Sequence, residues 1–70
     1  MSYSDIRYEV EDGRVRITLD RPESHNAITS LMLRELEEAL WEADDDTSVH
    51  CVILRGEGPS FCSGYDLTAL

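Results

Sequence analysis

Four consecutive apolar residues, Cys51 to Leu54, constrain the fold of this 70-residue chain more than any other feature. A strand with one solvated face alternates apolar and polar residues, whereas a continuous apolar run is typical of a strand covered on both faces, as in the parallel sheets of α/β proteins. We therefore predict a buried strand over 49–55. Covering both faces requires more layers than this sequence supplies, so we expect the chain to be part of a larger fold. A small autonomous α+β domain is the alternative.

Two alternating segments precede this strand and predict a β-hairpin. Asp12-Gly13 lies between them and is a strong signal for a tight turn, because glycine tolerates positive φ. We predict an antiparallel pair over 5–11 and 14–20, which ends at Pro22 because proline cannot donate to the ladder. The apolar members of the two segments are Ile6, Tyr8, Val10, Val15, Ile17 and Leu19.

The segment after residue 28 has the periodicity of an amphipathic helix. Thr29 or Ser30 is a suitable N-cap, and we expect the helix to end near Asp44, because acidic side chains are unfavourable at the negative end of the helix dipole. We predict one apolar stripe and an opposite, solvated face. The stripe comprises Met32, Leu33, Leu36, Ala39, Leu40 and Ala43, and the solvated face comprises Arg34, Glu35, Glu37, Glu38 and Glu42.

The composition limits the partners that the protein can have. Six basic and fifteen acidic residues give a net charge of −9, which repels nucleic acid and anionic membranes. The longest apolar run is far short of the roughly 20 residues that span a bilayer, and the N-terminus does not resemble a secretory signal. Cys51 and Cys62 are too few for a disulfide framework and lack zinc-ligand spacing. We expect a soluble, cytoplasmic protein with reduced thiols, no metal, no nucleic-acid partner and no membrane association.

The segment from Cys62 to Asp66 could bind negative charge. A glycine before a helix start, here Gly64, lets the backbone bend sharply and leaves room for a ligand. The first N–H groups of a helix lack intrahelical partners and lie at the positive end of its dipole, so they can bind an anion or a developing oxyanion. In acyl chemistry such an arrangement is an oxyanion hole. Taken alone, the segment is also typical of an ordinary strand-to-helix turn, and most such turns bind nothing.

Two motifs together are more specific than either of them alone. Residues 21–28, R-P-E-S-H-N-A-I, are followed at a distance by residues 52–67, which run through G-E-G to F-C-S-G-Y-D-L. The first resembles the R-P-x-x-x-N-A-hydrophobic segment of the crotonase (enoyl-CoA hydratase/isomerase) family, and the second resembles that family's strand, G-x-G and F-[SC]-[AS]-G-x-D-[LI] signature. The resemblance covers residues 6–70. The chain is therefore identified as the N-terminal part of a crotonase-like domain, comprising the hairpin, the helix, the buried strand and the oxyanion-hole loop.

The resemblance implies an α/β fold, the crotonase (ClpP-like) spiral of ββα units, which is several times longer than this chain and usually forms a homotrimer or hexamer. It implies an acyl-CoA thioester as ligand, with coenzyme A as part of the substrate and no separate cofactor. The expected reaction of the parent protein is hydration of a 2-enoyl-CoA through an enolate. Isomerase, thioesterase and dehalogenase reactions share this N-terminal half. A non-catalytic scaffold, an RNA-binding homologue and an interaction domain unrelated to coenzyme A are alternatives, although the acidic charge disfavours RNA.

The resemblance also assigns roles to particular residues. One oxyanion donor would be the backbone N–H of Tyr65, which follows the signature glycine. Ala27 matches the loop that lies along coenzyme A, and His25 matches a position where a basic residue sometimes approaches the coenzyme A phosphates. The second donor and the acid–base carboxylates come later in the family's proteins, so we expect the 70 residues alone to be inactive. The implied substrate-binding residues are Gly64, Asp66, Leu67, Ala27 and His25.

Overall fold

The computed structural model of the chain describes residues 3–64, which form a three-stranded sheet and one long helix. Every strand and helix predicted within these residues is present. The sheet has the strand order β1-β2-β3, in which β1 is antiparallel and β3 parallel to β2. In chain order the elements are β1 (Ile6–Glu11), β2 (Arg14–Leu19), a short 3₁₀ turn (Pro22–Ser24), α1 (Ser30–Asp45) and β3 (Cys51–Gly56).

The hairpin turn at Asp12-Gly13 has the geometry that the sequence predicts. Both residues have positive φ, 51° and 75°, as a type I′ turn requires. The antiparallel register places Val10 opposite Val15, so the alternating apolar side chains share one face of the sheet. The buried members of this face are Ile6, Val15, Ile17 and Leu19.

The helix begins as predicted, but its apolar stripe is rotated. The Thr29 hydroxyl oxygen accepts a hydrogen bond from the Met32 N–H at 3.1 Å, which confirms Thr29 as the N-cap. Leu33 and Leu40 are 48% and 51% exposed, so the prediction that they belong to the buried stripe is wrong. The buried residues of α1 are Met32, Glu35, Ala39 and Ala43.

Glu35 contradicts the prediction of a solvated position, because it is only 7% exposed. Its two carboxylate oxygens accept hydrogen bonds from the backbone N–H groups of Ser4, at 2.7 Å, and Asp5, at 2.8 Å. Hydrogen bonds from both donors compensate for the removal of the carboxylate from water. These bonds attach the segment before β1 to the buried face of the helix.

The third strand, predicted over 49–55, spans Cys51–Gly56 and pairs with β2 in parallel. The register runs from Arg14 opposite Cys51 to Leu19 opposite Gly56. Residues 3–64 do not cover β3 on both faces, because Val52, Ile53 and Leu54 remain 42%, 43% and 49% exposed. The apolar strand thus has its hydrogen-bonded neighbour within the described residues but lacks the further layers that its sequence indicates.

Tyr3 links the N-terminal segment to α1 and should make stability depend on alkaline pH. Its hydroxyl donates a hydrogen bond to the Glu42 carboxylate at 3.1 Å. Burial, and then this hydrogen bond, raise the pKa of Tyr3 from 10.0 to about 12. Because the folded-state pKa is the higher one, the contribution of Tyr3 is complete below pH 10 and is lost as the pH rises to about 12. We expect the stability difference between the wild type and Tyr3→Phe, measured by urea denaturation, to shrink over this range. A constant difference would contradict this assignment.

Candidate functional site

The 56–64 loop begins at Gly56, the last residue of β3, where the chain turns back on itself. A Cβ atom on Gly56 would lie 2.3 Å from the carbonyl oxygen of Phe61 and 2.7 Å from its Cα, so glycine is required by the close approach of the backbone. The Glu57 N–H donates to the Leu19 carbonyl at 2.8 Å. This bond keeps the start of the 56–64 loop beside the end of β2.

The second part of the site is the turn over residues 21–28, between β2 and α1. The Asn26 N–H donates to the Arg21 carbonyl at 2.8 Å, and the His25 N–H donates to the Pro22 carbonyl at 3.1 Å. His25 and Asn26 have φ values of 53° and 58°, a left-handed conformation in which asparagine and histidine are enriched. In this tight turn the Asn26 side chain is buried, with no exposed surface.

The Asn26 carboxamide joins the 21–28 turn to the 56–64 loop. Its oxygen accepts a hydrogen bond from the Arg21 N–H at 2.8 Å. Its nitrogen donates to the carbonyl oxygens of Glu57 and Ser60, both at 2.9 Å. The carboxamide therefore uses its acceptor and both donor hydrogens on backbone groups, as a buried polar side chain requires.

The second half of the loop also lies against the turn. The Ser63 N–H donates to the His25 carbonyl at 3.1 Å, and the Ile28 N–H donates to the Gly64 carbonyl at 2.8 Å. Nδ1 of His25 is 3.1 Å from the Ser60 hydroxyl oxygen. Residues 60–64 are thus held alongside residues 25–28.

Gly64 provides the sharp bend expected at this position. Its φ is 101°, in a region that residues with a Cβ adopt at a cost. Its N–H donates to Sγ of Cys62 at 3.4 Å. No described atom other than its chain neighbours lies within 4 Å of the Cβ position, so the described part of the molecule leaves open space beside the bend.

Three of the predicted substrate-binding residues lie along this junction. His25 is exposed, Ala27 is buried within the turn, and Gly64 ends the described loop. The other predicted site residues, Tyr65, Asp66 and Leu67, lie outside the described residues, and their roles stay predictions.

The sequence assigned no role to Asn26 or Glu57, which both hold the loop. The Glu57 carboxylate pairs with Arg7, and its Oε1 lies 3.7 Å from Nη2 of Arg55. These ion pairs are partly exposed, and such pairs are each worth about 0–1 kcal/mol, so they contribute little to stability. The presence of an asparagine in the 21–28 motif could have indicated the role of Asn26. No local sequence pattern indicates the role of Glu57.

Neither a metal-binding cluster nor a membrane-spanning helix occurs among the described residues. Across residues 3–64, no group of three or more His, Cys, Asp or Glu side chains is arranged to hold a metal ion. No helix in the same range combines the length and the apolar character that crossing a bilayer requires.

The hairpin, helix and parallel strand, with the glycine-bent loop, form an α/β unit that recurs in solved structures of the crotonase fold. An enoyl-CoA hydratase/isomerase from Xanthobacter autotrophicus Py2 superimposes with a TM-score of 0.94 at 48% identity, over 97% of this chain and 25% of that one. The chain therefore has the fold of the N-terminal portion of a crotonase spiral.

Sequence comparison gives the family. The family model described as enoyl-CoA hydratase/isomerase matches residues 9–70. A Rhodobacter capsulatus protein named "Probable enoyl-CoA hydratase" is 48% identical over 67 residues, which is 96% of this chain and 25% of that protein. Enoyl-CoA hydratase AFT3-1 of Alternaria alternata is 49% identical over 57 residues, 81% of this chain and 19% of that protein. The chain belongs to the enoyl-CoA hydratase/isomerase family, and it spans about a quarter or less of the length of these curated relatives.

Proposed function

We propose that the protein carrying this chain is an acyl-CoA-binding enzyme of the enoyl-CoA hydratase type, a lyase that adds water to a 2-enoyl-CoA. The observation that carries the proposal is the hydrogen-bonded junction between the 21–28 turn and the 56–64 loop. It joins the two segments that match the family's coenzyme A loop and oxyanion-hole loop. The names of the relatives support the same class of reaction.

In this proposal the thioester oxygen is bound by backbone donors, the first of which is the N–H of Tyr65. The carbonyl of Gly64 accepts a hydrogen bond from Ile28 at 2.8 Å. Gly64 directly precedes Tyr65 in the sequence, so this bond fixes the described end of the loop from which the proposed donor continues. A preorganised donor of this kind stabilises the charge that develops on an enolate oxygen, and losing one such donor costs about 10²–10³ in kcat.

The remaining substrate contacts follow from the family match. Ala27 would lie along coenzyme A, and the exposed His25 would lie near its phosphates. Gly64, Asp66 and Leu67 would contact the substrate, and coenzyme A enters as part of that substrate. The second oxyanion donor and the carboxylates that move protons would lie outside these 70 residues. The full-length protein would assemble as a homotrimer or hexamer. The 70 residues by themselves would then be inactive.

Isothermal titration of the full-length protein with acetoacetyl-CoA and with free coenzyme A tests this function. We expect acetoacetyl-CoA to bind more tightly, because its thioester oxygen can accept hydrogen bonds that free coenzyme A cannot. We also expect the full-length protein to hydrate 2-butenoyl-CoA. Equal affinity for the two ligands would contradict the oxyanion hole. Tight binding without hydration would instead favour an isomerase, thioesterase or dehalogenase, and hydration by the 70-residue chain would contradict its inactivity.

A further inference from the structure

We propose that Asn26 is a positioning residue for the oxyanion hole, acting through the backbone of the 56–64 loop. This inference rests on the function proposed above. It goes further because it assigns the orientation of the oxyanion donor to a buried side chain that is not itself placed against the substrate. The bonds of the Asn26 carboxamide, the residues that flank it and the chemistry of its replacement support this role.

The first support is the set of atoms that Asn26 contacts. One NH₂ group donates to two carbonyl oxygens three residues apart, those of Glu57 and Ser60, both at 2.9 Å. The carboxamide oxygen accepts from the Arg21 N–H at 2.8 Å. All three partners are backbone atoms, so the side chain fixes the path of the loop irrespective of which side chains the loop carries.

The second support is the position of Asn26 between two other loop contacts. Residues on both sides of it hold the end of the loop: the His25 carbonyl accepts from Ser63 at 3.1 Å, and the Ile28 N–H donates to the Gly64 carbonyl at 2.8 Å. A shift of the turn at Asn26 therefore moves both bonds. Gly64 directly precedes Tyr65, the proposed donor, so we expect the path of the chain into that residue to depend on the same turn.

The chemistry of the carboxamide provides a sharp substitution. Asn26→Asp retains nearly the same size, and aspartate also tolerates the left-handed backbone conformation of this position. An ionised carboxylate is an acceptor only, so it would face the Glu57 and Ser60 carbonyls without a donor and repel them. Asn26→Gly is a second variant, since it keeps the backbone conformation and removes the carboxamide without adding charge.

The test compares wild-type and variant full-length protein in two measurements. In steady-state hydration of 2-butenoyl-CoA, we expect both variants to lower kcat by about 10- to 100-fold, because displacement of a donor by about 1 Å costs up to 10²-fold. We expect KM to change by less than about threefold, since the interaction lost is one made mainly in the transition state. In infrared difference spectra of bound acetoacetyl-CoA, the thioester C=O stretch should return toward its frequency in solution.

Glu35→Ala is the matched control, because it removes a buried hydrogen-bonding side chain elsewhere in the same chain. It should lose stability while retaining the wild-type kcat and C=O stretch. If folded Asn26→Asp and Asn26→Gly proteins both keep the wild-type kcat and C=O stretch, the positioning role is overturned. If Asn26→Asp does not fold, the Asn26→Gly result decides. A wild-type protein that does not bind acetoacetyl-CoA overturns the proposed function as well, so the two failures are distinguishable.

Discussion

Replacing Gly56 with alanine is expected to lower the free energy of unfolding by at least about 3 kcal/mol, the upper end of the usual cost of overpacking. The added methyl group would lie 2.3 Å from the Phe61 carbonyl oxygen and 2.9 Å from Nδ2 of Asn26. Backbone atoms cannot rotate away as the end of a flexible side chain can. Relief therefore requires the loop to separate from the turn. Urea denaturation measures the loss of stability, and acetoacetyl-CoA titration should show weaker binding.

Gly64→Ala separates this steric effect from the general cost of replacing glycine. Gly64 has a φ of 101°, and no atom of residues 3–62 lies within 4 Å of its Cβ position. Its replacement should cost about 1–2 kcal/mol from backbone conformation alone. If Gly56→Ala is no more destabilising than Gly64→Ala, the close approach of residues 56 and 61 is not a feature of the folded protein.

The features that could be predicted from the sequence depend on residues close together in the chain. The hairpin follows from apolar alternation on either side of Asp12-Gly13, and the start of the helix follows from the hydroxyl of Thr29 and the donor three residues later. The existence of the strand β3 follows from its unbroken apolar run. In each case the residues that carry the signal are also the residues that form the structure.

The rotation of the helix could not be predicted in this way. Six apolar residues of α1 form a stripe wide enough to allow more than one buried face, so periodicity alone leaves the choice open. On the buried face, Glu35 accepts hydrogen bonds from the N–H groups of Ser4 and Asp5, which are 31 and 30 positions away in the chain. A glutamate among other glutamates has no local feature that indicates such partners.

The candidate site was predictable in its parts but not in its assembly. The motifs indicated that the 21–28 turn and the 56–64 loop belong to the site. They did not indicate that Asn26 joins the two, because its loop partners are the carbonyl oxygens of Glu57 and Ser60. Every residue has a carbonyl oxygen, so such partners leave no pattern in a sequence.

The buried carboxylate of Glu35 gives the second prediction with a large effect. Glu35→Ala is expected to lower the free energy of unfolding by about 3 kcal/mol, since hydrogen bonds to a charged group contribute about 1.5–3 kcal/mol each. The substitution removes the acceptor for two backbone donors, those of Ser4 and Asp5. Both N–H groups then have to find water or remain unpaired in a partly buried environment. Urea denaturation and amide hydrogen exchange of these two residues measure the result.

Glu38→Ala provides the comparison because it removes an exposed glutamate from the same helix. A surface substitution of this kind should change stability by less than about 0.5 kcal/mol. The stability loss of Glu35→Gln should lie between those of Glu35→Ala and Glu38→Ala. Its amide oxygen can accept a hydrogen bond from one of the two backbone N–H groups, whereas its NH₂ group faces the other. Equal stability losses in Glu35→Ala and Glu38→Ala would mean that both glutamates are solvated, as the periodicity first indicated. A large loss at Glu35 alone means that a contact distant in sequence selects the buried face of α1.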